Sequence, residues 1–515
     1  MSAVYRAEKA ERDAFSAARE QAESMEAHLR SSNAMRARHE QLEAYVQQEG
    51  REWMRRMMQA HLELRAELER PVEVRGADGV RRGYRRENTR RPLRMVFGDV
   101  YALRVAYEAR GVEALHPMDA ALNLPEELYS YGVRRLVAED VARSSYDDVV
   151  KFLAGHTGAA LGKRQVEELA VRAAQDFEVF YETRPVQPEQ TDHYLVLTFD
   201  GAGIIMRKQD LRPATQRAAA KSKPKLETRL SSGEKRNRKR MAEVAAIYSV
   251  APFPRTPMDV VHGLRPVRDV AKRHPRPVNK QVSASVELDA EEVIREKFEE
   301  GLRRDPERRR RWVVLVDGND DQIRMVRKVA KELGVEITLV LDLVHVLEYL
   351  WKAAYCFEAP GSKKAEQWVE QRLLGLLQGQ SAGYLAKGMR RNAKLRELSD
   401  KERKPVDDCA RYLVNHRRLL HYDRALREGL PMATGVIEGA CRYLVRDRMS
   451  VPGKWSLAGA EAVLRLRALW TNGDFDAYWE FHLQREYERT HRSRYVGGRV
   501  PVPVGPAKPA LRRVK

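Results

Sequence analysis

Two short apolar runs in this chain end in the same dipeptide, and that repetition constrains the fold more than any bulk property. They are YLVLTFDG (194–201) and the first part of RWVVLVDGND (311–320). Both are rich in β-branched or aromatic residues and stop at turn formers, which predicts buried strands ending at Asp200 and Asp317. AEVAAIYSVAP (242–252) reads as another strand, and VEITLVLDLVHVLEYLWKAA (335–354) as a strand running into a helix. Helical segments alternate with these runs. Residues 289–303 open with Asp289 and Glu292 at capping-box spacing, and QIRMVRKVAKELG (322–334) closes on Gly334. The expected fold class is α/β, a mixed sheet with flanking helices.

Around this core the pattern is helical. Residues 5–70 read as helix, with no proline before Pro71 and an apolar stripe of Leu42, Val46, Trp53, Met57, Ala60 and Leu64 that faces a core or a dimer partner. Residues 71–94 are Arg-rich and turn-like, and RMVFGDVYA with LRVAYEA predicts a small hairpin over 94–109. Within 131–180 the spacing has helix-turn-helix rhythm. One helix runs from about Tyr146 to Leu153, a turn holds Gly155 and Gly158, and a second helix opens at Gly162 with Lys163, Arg164 and Gln165 in its first turn. Two packed helices of any origin share that rhythm. Residues 346–430 read as helical throughout, with breaks at Pro360-Gly361 and Pro405, and a further helix, GVIEGACRYLVRDRM, follows Pro431. The expected divisions are 1–70, 71–130, 131–190, 191–345, 346–430, 431–485 and a basic tail, 486–515.

Of 515 residues, 94 are Lys or Arg and 74 Asp or Glu, a formal net charge of +20. The surplus is clustered: 207–240 holds 13 basic residues against three acids, and the tail from Arg492 has seven and none. Clusters of this kind favour a polyanionic partner, nucleic acid before membrane, because they lie in loops and a tail and not along an amphipathic helix. No run of 18 apolar residues occurs, and the N-terminus lacks the apolar core of a signal peptide, which points to the cytoplasm. Cys356, Cys409 and Cys441 form no CxxC pair and read as buried reduced thiols. No GxxxxGK[ST] loop is present, so a nucleotide cofactor is not expected.

A carboxylate delivered by a buried strand, with glycine beside it, suits a divalent metal. The strand fixes the oxygen, and the glycine lets metal and substrate come close. Taken singly, each aspartate is equally a turn former or a helix cap. A third acid is available at Glu438, alone in the apolar, glycine-flanked GVIEGACRYL and followed by Arg442, Arg446 and Arg448. Strand-Asp, strand-Asp, helix-Glu on a basic chain is the order found in RNase H-like nucleases and DDE transposases. The 121 residues between Asp317 and Glu438 fit if the helical stretch 346–430 is inserted. His345, at the strand-to-helix junction, is either an orienting group near the acids or the capping partner of Asp342. Tyr349, Trp351 and Tyr355 read as core in preference to a base-stacking platform.

Long stretches, in order, resemble the ISKra family of bacterial insertion-sequence transposases, a DDE group. They are HPMDAALNLPEELYSYGVRRLVAEDVARSSYDDVV, TGAALGKRQVEELAVRAAQDFEVFY, LRRDPERRRRWVVLVDGNDDQ, LDLVHVLEYLWKAAY, GLPMATGVIEGACRYLVRDRM and WSLAGAEAVLRLRALWTNGDFDAYWEFH, over about 40–495. Before Trp455 the chain reads Val451-Pro452-Gly453-Lys454, less basic than the resemblance leads one to expect. The resemblance implies an RNase H-like catalytic core interrupted by an all-helical insertion and preceded by a mostly helical DNA-binding region. It implies Asp200, Asp317 and Glu438 as catalytic and metal-holding residues for two Mg²⁺ or Mn²⁺ ions, with His345 secondary. The activity implied is cleavage of element ends and joining of the 3′-OH to target DNA. Expected partners are the terminal inverted repeats, target DNA and further copies of the chain, in a bacterial, nucleoid-associated setting. Expected DNA contacts are Lys163, Arg164, Gln165, Arg236, Arg238, Lys239, Arg240, Arg442, Arg446 and Arg448. The rival readings are a domesticated, non-catalytic DNA-binding protein and an RNase H-like nuclease that cuts without joining.

Overall fold

The computed structural model describes residues 14–221, 238–264, 274–433, 435–450 and 453–504. The chain packs as two units, Met1–Glu182 with Asp474–Lys515, and Thr183–Gly473.

In the first unit the single helix expected over 5–70 is three helices, Ser16–Leu29, Ser32–Arg36 and His39–Glu67, with residues before 14 outside the described part. Ser31 makes the first break, because its hydroxyl accepts the Ala34 N–H as an N-cap. The expected stripe is not core-facing along its length: Ala60 is buried, but Val46, Trp53 and Met57 are exposed. A three-stranded antiparallel sheet follows, β1 (Tyr84–Met95), β2 (Gly98–Ala109) and β3 (Val112–Leu115), in that order. The hairpin therefore turns at Val96-Phe97, inside the run read as one strand, and β1 occupies the Arg-rich stretch read as turns. Arginines are tolerated there because β1 is an edge strand and they find acids: Arg86 pairs with Glu108 and Arg94 with Asp99, both at 2.8 Å. Helices Tyr131–Val141, Tyr146–His156 and Lys163–Ala174 come next, the first two capped by Ser130 and Ser145.

The second unit is built on a five-stranded mixed sheet: β4 (Tyr194–Ile205), β5 (Lys239–Val250), β6 (Val278–Ser285), β7 (Trp312–Val316) and β8 (Ile337–Leu341), ordered β6-β5-β4-β7-β8. β4, β5 and β6 pair antiparallel, whereas β4, β7 and β8 are parallel. β4 does not stop at Asp200-Gly201. It continues to Ile205 because β5 pairs with it along its whole length, out to Lys239 opposite Ile205. β6 was not expected, although Val278, Val282 and Ala284 do alternate with polar residues. Part of the expected basic loop 207–240 is regular structure, a helix at Pro213–Lys221 and the start of β5. Residues 222–237 lie outside the described part.

The parallel step from β7 to β8 is made by helix Asp320–Glu332, capped by Asn319 and closed by Gly334 at φ 64°. Beyond β8 the regular structure is helical: Leu343–Ala354, Lys363–Leu377, Ala382–Leu395, Asp400–Asn415 and Tyr422–Glu428. Pro405 does not break its helix. It sits in the second turn, and the helix is held by buried Val406, Cys409, Ala410 and Leu413. Residues 435–449 are one helix with a π-helical segment at Cys441–Arg446. Helix Leu457–Asn472 closes the unit, the Asn472 side chain accepting the Val282 N–H of β6 at 2.9 Å. Among the described residues no helix is long and apolar enough to cross a membrane.

The sheet core of this unit is dense. All five residues of β7 are buried, with Leu195, Leu197 and Phe199 of β4 and Phe298 beside them. Trp312 opens β7, and its Nε1 donates to Asp305 Oδ2 at 2.9 Å. Its ring lies against Gly301 so closely that a Cβ there would sit 2.4 Å from Cη2. Gly301 thus fixes how near helix Ala290–Arg304 comes to the strand that leads to Asp317. Gly301→Ala should lower stability by about 1–3 kcal/mol despite its better helix propensity. Urea unfolding that shows the variant equal to or above wild type would contradict this packing.

Candidate functional site

β4 and β7 pair in parallel with Leu195 opposite Trp312 and Thr198 opposite Leu315. Continued by two residues, that register sets Asp200 level with Asp317, and the alternation of side chains puts both on the face that carries Thr198 and Leu315. Asp200 is held where β4 still pairs with β5, opposite Val244, and its Oδ1 accepts the Gly201 N–H at 2.7 Å. Asp317 follows the last residue of β7, and its Oδ1 accepts the Asn319 N–H at 2.8 Å. Gly318 has φ 95°, and a Cβ there would meet the Tyr412 ring at 2.8 Å, so glycine is required on both counts. The Tyr412 hydroxyl donates to the Asp317 carbonyl at 2.7 Å.

Glu438 is exposed on the 435–449 helix, and Cys441 lies one turn on. The Cys441 thiol donates to Asp200 Oδ2 at 3.2 Å. Burial pushes that thiol up, and the charges of Asp200 and then Glu438 add to the shift, so the two carboxylates act on one sulfur. Past the helix, Trp455 is tied to the end of β4: its N–H donates to Ile205 O at 3.0 Å, and the Arg207 N–H donates to Trp455 O at 2.8 Å. None of Asp200, Asp317 and Glu438 is in an ion pair among the described residues.

The three carboxylates do not close into a trio with ligand atoms within 4.8 Å of one another, as a single metal-sized pocket would require. They sit on β4, just past the end of β7, and on a separate helix. Two divalent ions about 3.5–4 Å apart share their ligands between them, so a two-ion site does not need that closure. The donors are oxygen only, the set that Mg²⁺ and Mn²⁺ take. The fully buried Thr198 hydroxyl, on the same face, is without a hydrogen-bond partner.

His345 sits one turn into helix Leu343–Ala354, whose N-cap is the fully buried Asp342. Its Nδ1 lies 2.8 Å from Asp342 Oδ2. That hydrogen bond raises its pKa to about 9 against the effect of burial, and the charge of Asp317 adds to it. The imidazolium is thus the capping partner of Asp342, and Asp317 favours its charge. Tyr349, half-buried, stacks on Tyr412 at 4.1 Å, and Trp351 is half-buried, but Tyr355 is exposed and not core. Cys409 and Cys441 are buried, and Cys356 is half-exposed.

The expected DNA contacts are unevenly available. Lys163 and Arg164 are exposed at the start of their helix, but Lys163 pairs with Asp147 at 2.6 Å and Arg164 with Glu168 at 2.8 Å. Gln165 is half-buried beside Gly162. Arg236 lies outside the described residues. Arg238 is half-buried and Lys239 exposed, whereas the Arg240 guanidinium donates to the carbonyls of Val286 at 2.6 Å, Asp210 at 3.3 Å and Glu287 at 3.4 Å. Arg442 and Arg446 are exposed, Arg442 lying 3.7 Å from Asp447. Arg448 is buried with its guanidinium 4.7 Å above the Trp455 ring, a packing role and not a free cation.

Among the described residues one buried trio does have metal-ligand spacing, Asp176, His482 and Glu486 in the first unit. Arg134 Nη1 donates to Glu486 Oε2 at 2.6 Å and lies 3.0 Å from His482 Nε2, while His482 Nδ1 lies 2.7 Å from Asp176 Oδ2. A guanidinium occupies the place of a cation there, and Arg134 also pairs with Glu127. The cluster is a buried ion-pair network.

Sequence reading missed Cys441 and Tyr412. Cys441 had a signal, its three-residue spacing from Glu438, which puts both on one helix face. Tyr412 had none, since only the tertiary fold brings it to Asp317. No protein-family model and no curated protein matches the chain.

Two predictions follow from these geometries. With its folded pKa near 9 and an ordinary value of 6.5, His345 stabilises the fold fully below pH 6.5, and the contribution fades as pH rises through 9. His345→Gln should therefore lower Tm most at pH 6, with the gap to wild type narrowing by pH 9.5. A gap independent of pH would refute the charged pair. Arg134→Met should cost about 3–5 kcal/mol, because Glu486 and Glu127 lose their buried cation. A Tm of wild-type protein that rises with added Zn²⁺ would instead make the trio a metal site.

Proposed function

We propose that the chain is a DNA transposase of an insertion sequence, the activity implied by its resemblance to the ISKra family, acting through metal-dependent phosphoryl transfer. The observation that carries this reading is the parallel β4–β7 register, Thr198 opposite Leu315, which when continued by two residues puts Asp200 level with Asp317 just past the end of β7. The Cys441–Asp200 hydrogen bond supports it, because the helix that carries Glu438 packs against Asp200 there. The strand order β6-β5-β4-β7-β8, with β4, β5 and β6 antiparallel and β4, β7 and β8 parallel, supports the finer reading of an RNase H-like core.

Asp200, Asp317 and Glu438 would hold the divalent ions. Bound there, such ions activate an attacking oxygen and stabilise a leaving one in in-line displacement at phosphorus. The protein's own contribution is positional. The Gly201 and Asn319 N–H groups and the Cys441 thiol each fix a carboxylate oxygen. Tyr412 holds the Asp317 backbone, and protonated His345 offers a positive charge near Asp317 for a phosphate oxygen. The same residues serve water and a DNA 3′-OH as nucleophile, so cutting and joining need one site.

The test uses one labelled element end. Wild-type protein should cleave it with Mg²⁺ and join the 3′ end to a target duplex. Asp317→Asn should bind that end at least as tightly as wild type while cleavage falls by a factor on the order of 10³ or more, the scale of losing a catalytic electrostatic contact. Cleavage by Asp317→Asn at the wild-type rate removes the mechanism, and cutting without joining by wild type makes the protein a nuclease.

A further inference from the structure

The helix Ala382–Leu395, AGYLAKGMRRNAKL, has a face that the fold leaves unused. Ala382, Leu385, Ala386, Met389 and Ala393 are its buried side. On the other side Tyr384, Lys387, Gly388, Arg391, Lys394 and Leu395 recur at helical spacing, and all are exposed. Tyr384 is 70% and Leu395 71% exposed. The side chains of Lys387, Arg391 and Lys394 make no ion pair or hydrogen bond among the described residues. The remaining cation, Arg390, points elsewhere and pairs with Asp407 at 3.1 Å.

Exposed helical cations are ordinarily interleaved with acids, and this chain follows that habit in every other described helix of ten or more residues. Each of those carries at least one Asp or Glu, and Ala382–Leu395 alone carries none. Asp407, on the neighbouring helix Asp400–Asn415, is engaged by Arg390 and Arg403, so it does not neutralise the stripe. Glu397 is the nearest acid in sequence and lies beyond the helix end. At about 1.5 Å rise per residue the three cations spread over roughly 10 Å, the scale of a few successive phosphates of one strand. Gly388 stands in the middle of the stripe, where a Cβ would meet nothing within 4 Å. Bare backbone at that point lets a phosphate approach closely, which gives a reason for a residue that otherwise weakens a helix.

We propose that this face of the Ala382–Leu395 helix docks double-stranded DNA, taking the sugar–phosphate backbone on Lys387, Arg391 and Lys394 with Tyr384 at one end. The choice of DNA as the polyanion rests on the transposase reading above. The face contributes affinity and not sequence, because its contacts are to phosphates.

The experiment uses the full chain and a fluorescein-labelled duplex of arbitrary sequence, with anisotropy read over a KCl series. Lys387→Ala/Arg391→Ala/Lys394→Ala should weaken Kd by roughly tenfold and make the slope of log Kd against log[KCl] shallower by about 2–3, at about 0.9 per lost phosphate contact. Its thermal melt should match wild type, since the three exposed side chains make no ion pair or hydrogen bond among the described residues. Lys363→Ala/Lys364→Ala, which removes exposed charge at the start of helix Lys363–Leu377, should leave the slope unchanged. An unchanged Kd and slope in the triple variant overturns the proposal. An equal loss in the Lys363/Lys364 control also overturns it, by assigning the effect to net charge. Loss of binding to phosphatidylcholine–phosphatidylserine vesicles, with duplex binding intact, overturns it in favour of a membrane. The two readings fail separately. If wild type binds duplex through this face but cleaves none with Mg²⁺, the transposase reading falls and the surface stands. If wild type cleaves while the triple variant binds normally, the surface falls alone.

Discussion

The parallel register between β4 and β7 is the constraint on which the second unit depends. β7 is only five residues long, and all five are buried between β4 and β8. A strand buried on both faces has no polar side to betray a slip, so its register must be set from its ends. Trp312 fixes one end through Asp305 and the close approach of Gly301. Asn319 fixes the other by capping the helix that follows. A slip of one residue would turn Asp317 to the opposite face of the sheet, away from Asp200. The packing around Trp312 is therefore part of the site's geometry even though it touches no functional group.

Electrostatics reinforces this picture. On a chain of net charge +20, acids normally find cations, and many here do. Glu189 is paired with Arg310, Asp119 with Arg91 and Arg104, and Glu486 with Arg134 and Arg489. Among the described residues Asp200, Asp317 and Glu438 are exceptions. Several cations are likewise committed to internal tasks. Arg240 serves three carbonyls, and Arg448 covers Trp455. The net charge thus overstates what is free to meet phosphate, and position decides which cations count.

The local half of the fold was legible in the sequence. Periodicity and turn residues located β4, β5, β7, β8 and the capped helices at Asp289 and Gly334, because those signals sit within a few residues of the elements they define. What escaped depends on partners far away in the chain. β4 runs past Asp200 because β5 pairs with it, and β6 forms on the free edge of β5. The Arg-rich β1 is a strand because acids on β2 neutralise it. Pro405 stays inside its helix because the buried face beyond it outweighs one lost hydrogen bond. The same limit applies to the site. Asp200, Asp317 and Glu438 were named from local pattern, but local pattern said nothing of how far apart a sheet and a helix would hold them.

Tyr412 shows why the long helical stretch after β8 belongs to the site. Its hydroxyl holds the Asp317 carbonyl, its ring fills the space that Gly318 leaves open, and Tyr349 stacks on its face. Tyr412 rides on helix Asp400–Asn415, the helix that also pairs Asp407 with Arg390 of Ala382–Leu395. A load on the basic face of Ala382–Leu395 is therefore one packed helix away from the backbone of Asp317. Burial makes that path stiff: Val406, Cys409, Ala410 and Leu413 are among the most deeply buried residues of the chain, and close-packed interiors transmit displacement in place of absorbing it. Packing alone thus links the helix that carries the basic face to the backbone of Asp317.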